Sequence, residues 1–143
     1  MPISSGRGVA AASLGPVRIS PRHFEELVAH ARDEAPNECC GYLALRDGSV
    51  ERVERAQNKR RSPYGYELDD RSLFAVNELE DEGYGVAVYH SHPRSPPEPS
   101  QTDINLAAYP DWLYLIVSLE GEPIVRAWRI TDGHANEEDL AVG

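Results

Sequence analysis

The sequence predicts a single α/β domain of the α+β kind, a mixed β-sheet flanked by helices, and three observations lead there. The length of 143 residues suits one domain, and at that size a chain can bury roughly 70% of its unfolded surface without a covalent staple. Helical apolar spacing alternates along the chain with short β-rich runs. Turn residues separate nearly every pair of these segments.

Residues 1–15, rich in Gly, Ala and Ser, read as a flexible leader outside the fold. Val17 to Ile19 suits a short strand. Ser20 then offers an N-cap and Pro21 a first helical position, with Phe24, Leu27, Val28 and Ala31 on one face of a helix that runs to about Glu34 before Pro36. Gly41–Leu45 and Val50–Ala56 flank Asp47-Gly48 and read as a hairpin. The basic stretch Arg52, Arg55, Lys59, Arg60 and Arg61 reads as a solvated strand end and loop, with a docking patch for an acidic partner as the alternative. Asp69 or Asp70 can cap a second helix carrying Leu73, Phe74, Val76, Asn77 and Leu79 and ending near Gly83. Tyr84–Tyr89 reads as a buried strand. Pro93–Pro99 can neither pair regularly nor continue a helix, so an ordered loop is expected there. Ser100 opens a third helix to about Ala108, and Trp112–Leu119 and Pro123–Thr131 make two more strands. The core domain spans residues 16–132, and the acidic residues 133–143 are expected to form a tail or a short helix.

The charge balance narrows the function. With 24 acidic against 14 basic residues, a net charge of -10 opposes the phosphate neutralisation that nucleic-acid binding requires. No apolar run approaches the roughly 20 residues that span a bilayer, and no continuous apolar signal core stands at the N-terminus. The adjacent Cys39 and Cys40 are poorly placed to close a disulfide with each other. Neither a nucleic-acid nor a membrane partner is expected, and a cytoplasmic, reducing location is.

The chemistry concentrates in His90-Ser91-His92-Pro93, followed by Ser100 and Asp103. In extended backbone, residues i and i+2 point the same way, so His90 and His92 can offer both imidazoles to one ion. Ser100 at an N-cap puts Asp103 in the first turn, where it completes a ligand set if the Pro-rich loop folds back. Two His and one Asp leave a position open for water, as in catalytic zinc sites, although this donor set suits other divalent ions too. Glu38, at the junction of the first helix and the next strand, is the expected proton carrier. Ser100 is the expected hydroxyl donor to an oxyanion. Ser-x-x-Asp at a helix start is also an ordinary capping arrangement. The Pro-Cys-x-x-Cys of nucleobase deaminases is missing after His90, as is any His-Glu-x-x-His.

Taken together, Glu38, His90-Ser91-His92-Pro93, Ser100 and Asp103 resemble the JAMM (MPN+) metalloprotease motif, and Glu38-Cys39-Cys40-Gly41 resembles the Glu-x-Cys-Gly stretch around that family's glutamate. The resemblance covers roughly residues 17–131. It implies an MPN-like fold with cytidine-deaminase-like layering and one Zn2+ per chain on His90, His92 and Asp103. It also implies hydrolysis of an amide or isopeptide bond after the C-terminal Gly of a ubiquitin-like protein. The short chain resembles compact prokaryotic members, which act on ubiquitin-like sulfur carriers with a Gly-Gly tail and can release cysteine from a carrier–cysteine adduct. A general isopeptidase for ubiquitin-like modifiers and a non-catalytic module that binds them are the alternatives.

Overall fold

The computed structural model describes residues 16–143; the expected leader lies outside them. The elements run β1 (Val17–Ile19), α1 (Pro21–Glu34), β2 (Cys40–Arg46), β3 (Ser49–Ala56), α2 (Asp70–Asp81) and β4 (Gly85–His92), then α3 (Gln101–Leu106), β5 (Leu113–Ser118), β6 (Ile124–Thr131), β7 (His134–Glu138) and β8 (Leu140–Val142). Eight strands form one mixed sheet in the order β7-β6-β5-β4-β2-β3-β1-β8. β4 and β5 are parallel, whereas β2 pairs antiparallel with both β3 and β4.

Local chemistry sets the boundaries. Ser20 accepts a hydrogen bond from the His23 N–H and Pro21 starts α1. Asp47 and Gly48 both have positive φ, 53° and 80°, as a two-residue primed hairpin turn requires, and they join Arg46 to Ser49 in register. Asp69 caps α2 through Ser72, and Gly83 just beyond its end has φ 92°.

Alternation along the strands gives the sheet two buried faces. On one, Cys39, Leu43, Ala87, Tyr89, Leu115 and Val117 pack with Leu27, Val28 and Ala31 of α1. On the other, Cys40, Ala44, Val86, Val88 and Tyr114 pack with Val76 and Leu79 of α2. Gly41 is fixed by a close approach: an added Cβ would collide with the Tyr89 ring and the Glu54 carbonyl.

Two expectations need correction. Residues 133–143 are neither tail nor helix, because β7 and β8 close the two ends of the sheet by pairing with β6 and β1; acidic residues are tolerated there because edge strands face water on their outer side. α3 stops at Leu106 rather than near Ala108, because Ala107 already has extended backbone, with φ -71° and ψ 114°.

Candidate metal centre

Strand β4 extends through both histidines, and its even-numbered side chains share the face carrying Val86 and Val88. His90 and His92 therefore turn their rings to the same side at the C-terminal end of the strand. The segment 93–99 folds back as a pinned loop. His92 Nδ1 donates to the Pro96 carbonyl at 2.8 Å, Ser118 Oγ to the Ser95 carbonyl at 2.6 Å and Trp128 Nε1 to the Pro97 carbonyl at 3.0 Å. That return brings Ser100 and α3 over the strand end.

Three donor atoms converge there. His90 Nε2 and His92 Nε2 are 3.2 Å apart, and each lies 3.1 Å from Asp103 Oδ2. A tetrahedral ion with bonds of about 2.0–2.1 Å separates its ligand atoms by about 3.3 Å, so the triangle has the dimensions of a three-ligand face. A carbonyl can only accept, so His92 Nδ1 must carry a proton toward Pro96, and in the neutral ring Nε2 then has a free lone pair facing the other two donors. Tyr66 stacks on the His90 ring at 4.3 Å and 16°. The donor set and its spacing fit one divalent cation.

Asp103 is held from both ends. Ser100 Oγ accepts from the Asp103 N–H at 3.1 Å while the Ser100 N–H donates to Asp103 Oδ2 at 2.9 Å, a complete capping box. Burial pushes its carboxyl up, but hydrogen bonds from His90 and His92 outweigh this and hold it well below the usual carboxylate range. Burial also lowers the His90 pKa. In His92 the bonds to Asp103 and Pro96 overcome burial and raise it.

Glu38 reaches the site through sheet register. Cys40 pairs with His90 in the antiparallel β2–β4 ladder, and the Ser91 N–H still donates to the Cys39 carbonyl. Continuing the same register puts Glu38 opposite His92, and opposite residues share a face. Its side chain is buried, and Oε1 has no hydrogen-bond partner among the described residues. Burial pushes its pKa up to about 8; the charges of His92 and Arg60 oppose that rise and Asp103 adds to it. A carboxyl poised near neutrality is suited to taking up and giving back a proton.

His90, His92 and Asp103 thus converge on one point, Ser100 is bonded to Asp103, and Glu38 lies opposite His92 on the same face. Four further contributors had no sequence signal: Tyr66 against His90, the Pro96 carbonyl on His92, the Ser91 hydroxyl bonded to the Cys39 N–H at 2.8 Å, and Asn58. Asn58 Nδ2 donates to the carbonyls of Glu38 and Gly65, and its Oδ1 accepts from the N–H groups of Arg60 and Glu67, each at 3.0 Å.

A search of protein families matches residues 20–131 to the prokaryotic homologs of the JAB domain. The chain belongs to this family. It is similar to CysO-cysteine peptidase of Mycobacterium tuberculosis, with 41% identity over 123 residues, 81% of this chain and 84% of the relative. A desampylase of Haloferax volcanii is 37% identical, covering 73% of this chain and 81% of the relative. A probable TtuB-protein conjugate cleaving protease of Thermus thermophilus is 40% identical, covering 77% and 73%. Among solved structures, a protein of Desulfitobacterium hafniense matches with TM-score 0.77 and 36% identity over 88% of this chain and 92% of that one. A JAB1/MPN domain protein of Archaeoglobus fulgidus, at TM-score 0.54 and 16% identity over 87% and 96%, shares the fold. The fold expected from the motif is the fold of these proteins, and the match reaches from the α1 cap through β6.

Proposed function

We propose that this chain is a zinc peptidase that hydrolyses the bond after the C-terminal Gly of a ubiquitin-like or sulfur-carrier protein, releasing an amino acid such as cysteine. The observation that carries the reading is the joint placement of Glu38 on the same face as the convergent His90, His92 and Asp103 donors. A structural cluster of two histidines and an aspartate would not need an unpartnered buried carboxyl beside it. The names of the relatives, a CysO-cysteine peptidase above all, support the substrate class.

His90 Nε2, His92 Nε2 and Asp103 Oδ2 would hold one Zn2+ per chain, and zinc so bound polarises a carbonyl and lowers the pKa of water. The chain's own residues do the rest. Glu38 takes a proton from the attacking water and returns it to the leaving nitrogen. Ser100 Oγ accepts from the Asp103 N–H, so its own proton remains to be donated to a developing oxyanion. The Pro96 carbonyl keeps His92 in the tautomer that presents Nε2. The catalytic domain takes in residues 16–143, because β7 and β8 belong to the same sheet as the site strands. No described helix is long and apolar enough to cross a membrane.

Mass spectrometry of a carrier–cysteine adduct incubated with zinc-loaded protein tests the reading. Loss of one cysteine, leaving a carrier that ends in Gly-Gly, is expected. An intact adduct beside cleavage of a carrier joined to a lysine side chain would favour the second reading, an isopeptidase for conjugates, which the desampylase and conjugate-cleaving relatives support.

A further inference from the structure

The two histidines of the donor set are oriented by different means. An imidazole that holds a metal through one nitrogen is ordinarily fixed by a hydrogen bond from the other. His92 follows that pattern, with Nδ1 on the Pro96 carbonyl at 2.8 Å. His90 does not: its Nδ1 is buried and has no hydrogen-bond partner among the described residues. Strand geometry fixes where the His90 side chain leaves the backbone, but the ring can still turn about its last side-chain bond, a broad torsion in histidine. What meets the His90 ring is aromatic. Tyr66 lies nearly parallel to it, with centroids 4.3 Å apart and an interplanar angle of 16°, and the His92 ring stands edge-on at 5.0 Å and 63°.

We propose that Tyr66 is a positioning residue for the metal centre: its ring face stands in for the missing hydrogen bond and holds the His90 imidazole at the angle that presents Nε2 to the ion. The inference rests on the metal-site reading above and names a residue outside the donor set on which metal affinity depends. Turning the imidazole out of its plane breaks the stack, so the contact resists the rotation that would swing Nε2 away from His92 Nε2 and Asp103 Oδ2, at 3.2 and 3.1 Å. Charge adds to shape. A cation on Nε2 draws electron density out of the imidazole, and the electron-rich face of a phenol stabilises an electron-poor ring laid against it. A stack that is stronger with the metal bound than without it raises metal affinity by the same factor, because the coupling is reciprocal.

A wall can orient a ring only if the wall is itself held, and Tyr66 is held at both of its chain neighbours. Asn58 donates to the Gly65 carbonyl and accepts from the Glu67 N–H, each at 3.0 Å, so one amide ties the residue before Tyr66 to the residue after it. The Lys59 N–H donates to the Glu67 carbonyl at 2.9 Å, and Asn58 pairs with Leu68 in an antiparallel bridge. The Tyr66 side chain packs against the buried cluster that contains Cys40, Val88 and Tyr114. The same Asn58 amide bonds the Glu38 carbonyl. Tyr66 is thus the contact through which segment 57–67 bears on a metal donor as well as on the proton carrier.

The test measures zinc affinity by competition with a chelator in wild-type protein, Tyr66→Phe and Tyr66→Leu. Tyr66 borders a cavity of about 370 Å³, so the smaller Leu is placed without a clash and the variant should fold. Phe keeps the ring face and should bind zinc as tightly as the wild type. Leu should bind it about 10- to 100-fold more weakly, the scale of a residue that orients a metal-bound histidine. Affinity rather than zinc content is the readout, because a site weakened to that degree still fills when zinc is in excess. Cobalt(II) in place of zinc gives visible bands that follow ligand geometry; they should match in the wild type and Tyr66→Phe and differ in Tyr66→Leu. Wild-type zinc affinity in Tyr66→Leu, identical cobalt bands in all three proteins, or a Phe variant as weak as Leu would overturn the assignment. A second measurement needs no metal: the carbon-bound ring protons of His90 should show the upfield NMR shift of a stacked ring in wild type and Tyr66→Phe and lose it in Tyr66→Leu. A wild type that binds no zinc would refute the metal reading itself, whereas an NMR shift unchanged in Tyr66→Leu would refute the role of Tyr66 alone.

Discussion

On one side of the site, His90, His92 and Asp103 are held by regular structure: a central strand, a capping box and a loop pinned at three carbonyls. On the other, Glu38 depends on the irregular segment 57–67, where one side chain, Asn58, makes four hydrogen bonds. The first side gathers lone pairs on buried side chains. The second carries Glu38, the proposed proton carrier, held at its backbone by Ser62 and Asn58. Metal ligation and proton transfer are thereby assigned to separately built walls, so a change in one should leave the other measurable.

The largest effect should come from breaking the regular wall. His92→Ala removes one donor of three and is expected to lose zinc, measured by elemental analysis, together with all detectable turnover; full zinc occupancy in that variant would show that the ligands are others. Ser100→Ala should keep zinc and slow hydrolysis on the order of 10²-fold, the scale of a single oxyanion donor, whereas wild-type rates would leave Ser100 as a helix cap alone. Asn58→Ala probes the irregular wall. Losing its four hydrogen bonds should cost about 2–3 kcal/mol in denaturant unfolding and lower kcat roughly 10-fold through a displaced Glu38, with zinc content unchanged.

The smallest effect lies on the opposite face of the sheet, where His30 Nδ1 meets the Tyr89 hydroxyl at 2.6 Å. Burial, reinforced by the charge of Arg55, lowers the His30 pKa from 6.5 to about 4. Between those values the unfolded chain binds a proton that the folded one does not, so stability is full above pH 6.5 and falls as pH drops toward 4. His30→Gln should flatten this dependence by a few degrees in melting temperature, on the order of 4 °C, and equal acid sensitivity in both proteins would assign it to other groups.

The sequence made the regular wall readable because its geometry is periodic. His90 and His92 share a face by strand alternation, and Ser100 to Asp103 is a cap spacing. The hairpin at Asp47-Gly48 and the α1 start at Ser20-Pro21 were legible for the same reason: each rests on a local backbone preference. The irregular wall was not readable. Asn58 is one polar residue in a basic loop, and nothing local states that its amide spans Glu38, Gly65, Arg60 and Glu67. The stacking of Tyr66 against His90 is likewise a tertiary fact. The same limit explains the C-terminus, whose strands exist only because β6 and β1 offer open edges.

The division of labour between the two walls is tested most directly by Glu38→Gln, with zinc content and turnover of a carrier–cysteine adduct measured on the same sample. The account predicts zinc at wild-type stoichiometry, about one per chain, with turnover nearly abolished, because a neutral amide cannot take the proton from water. Loss of zinc from that variant, or turnover at the wild-type rate, would contradict it.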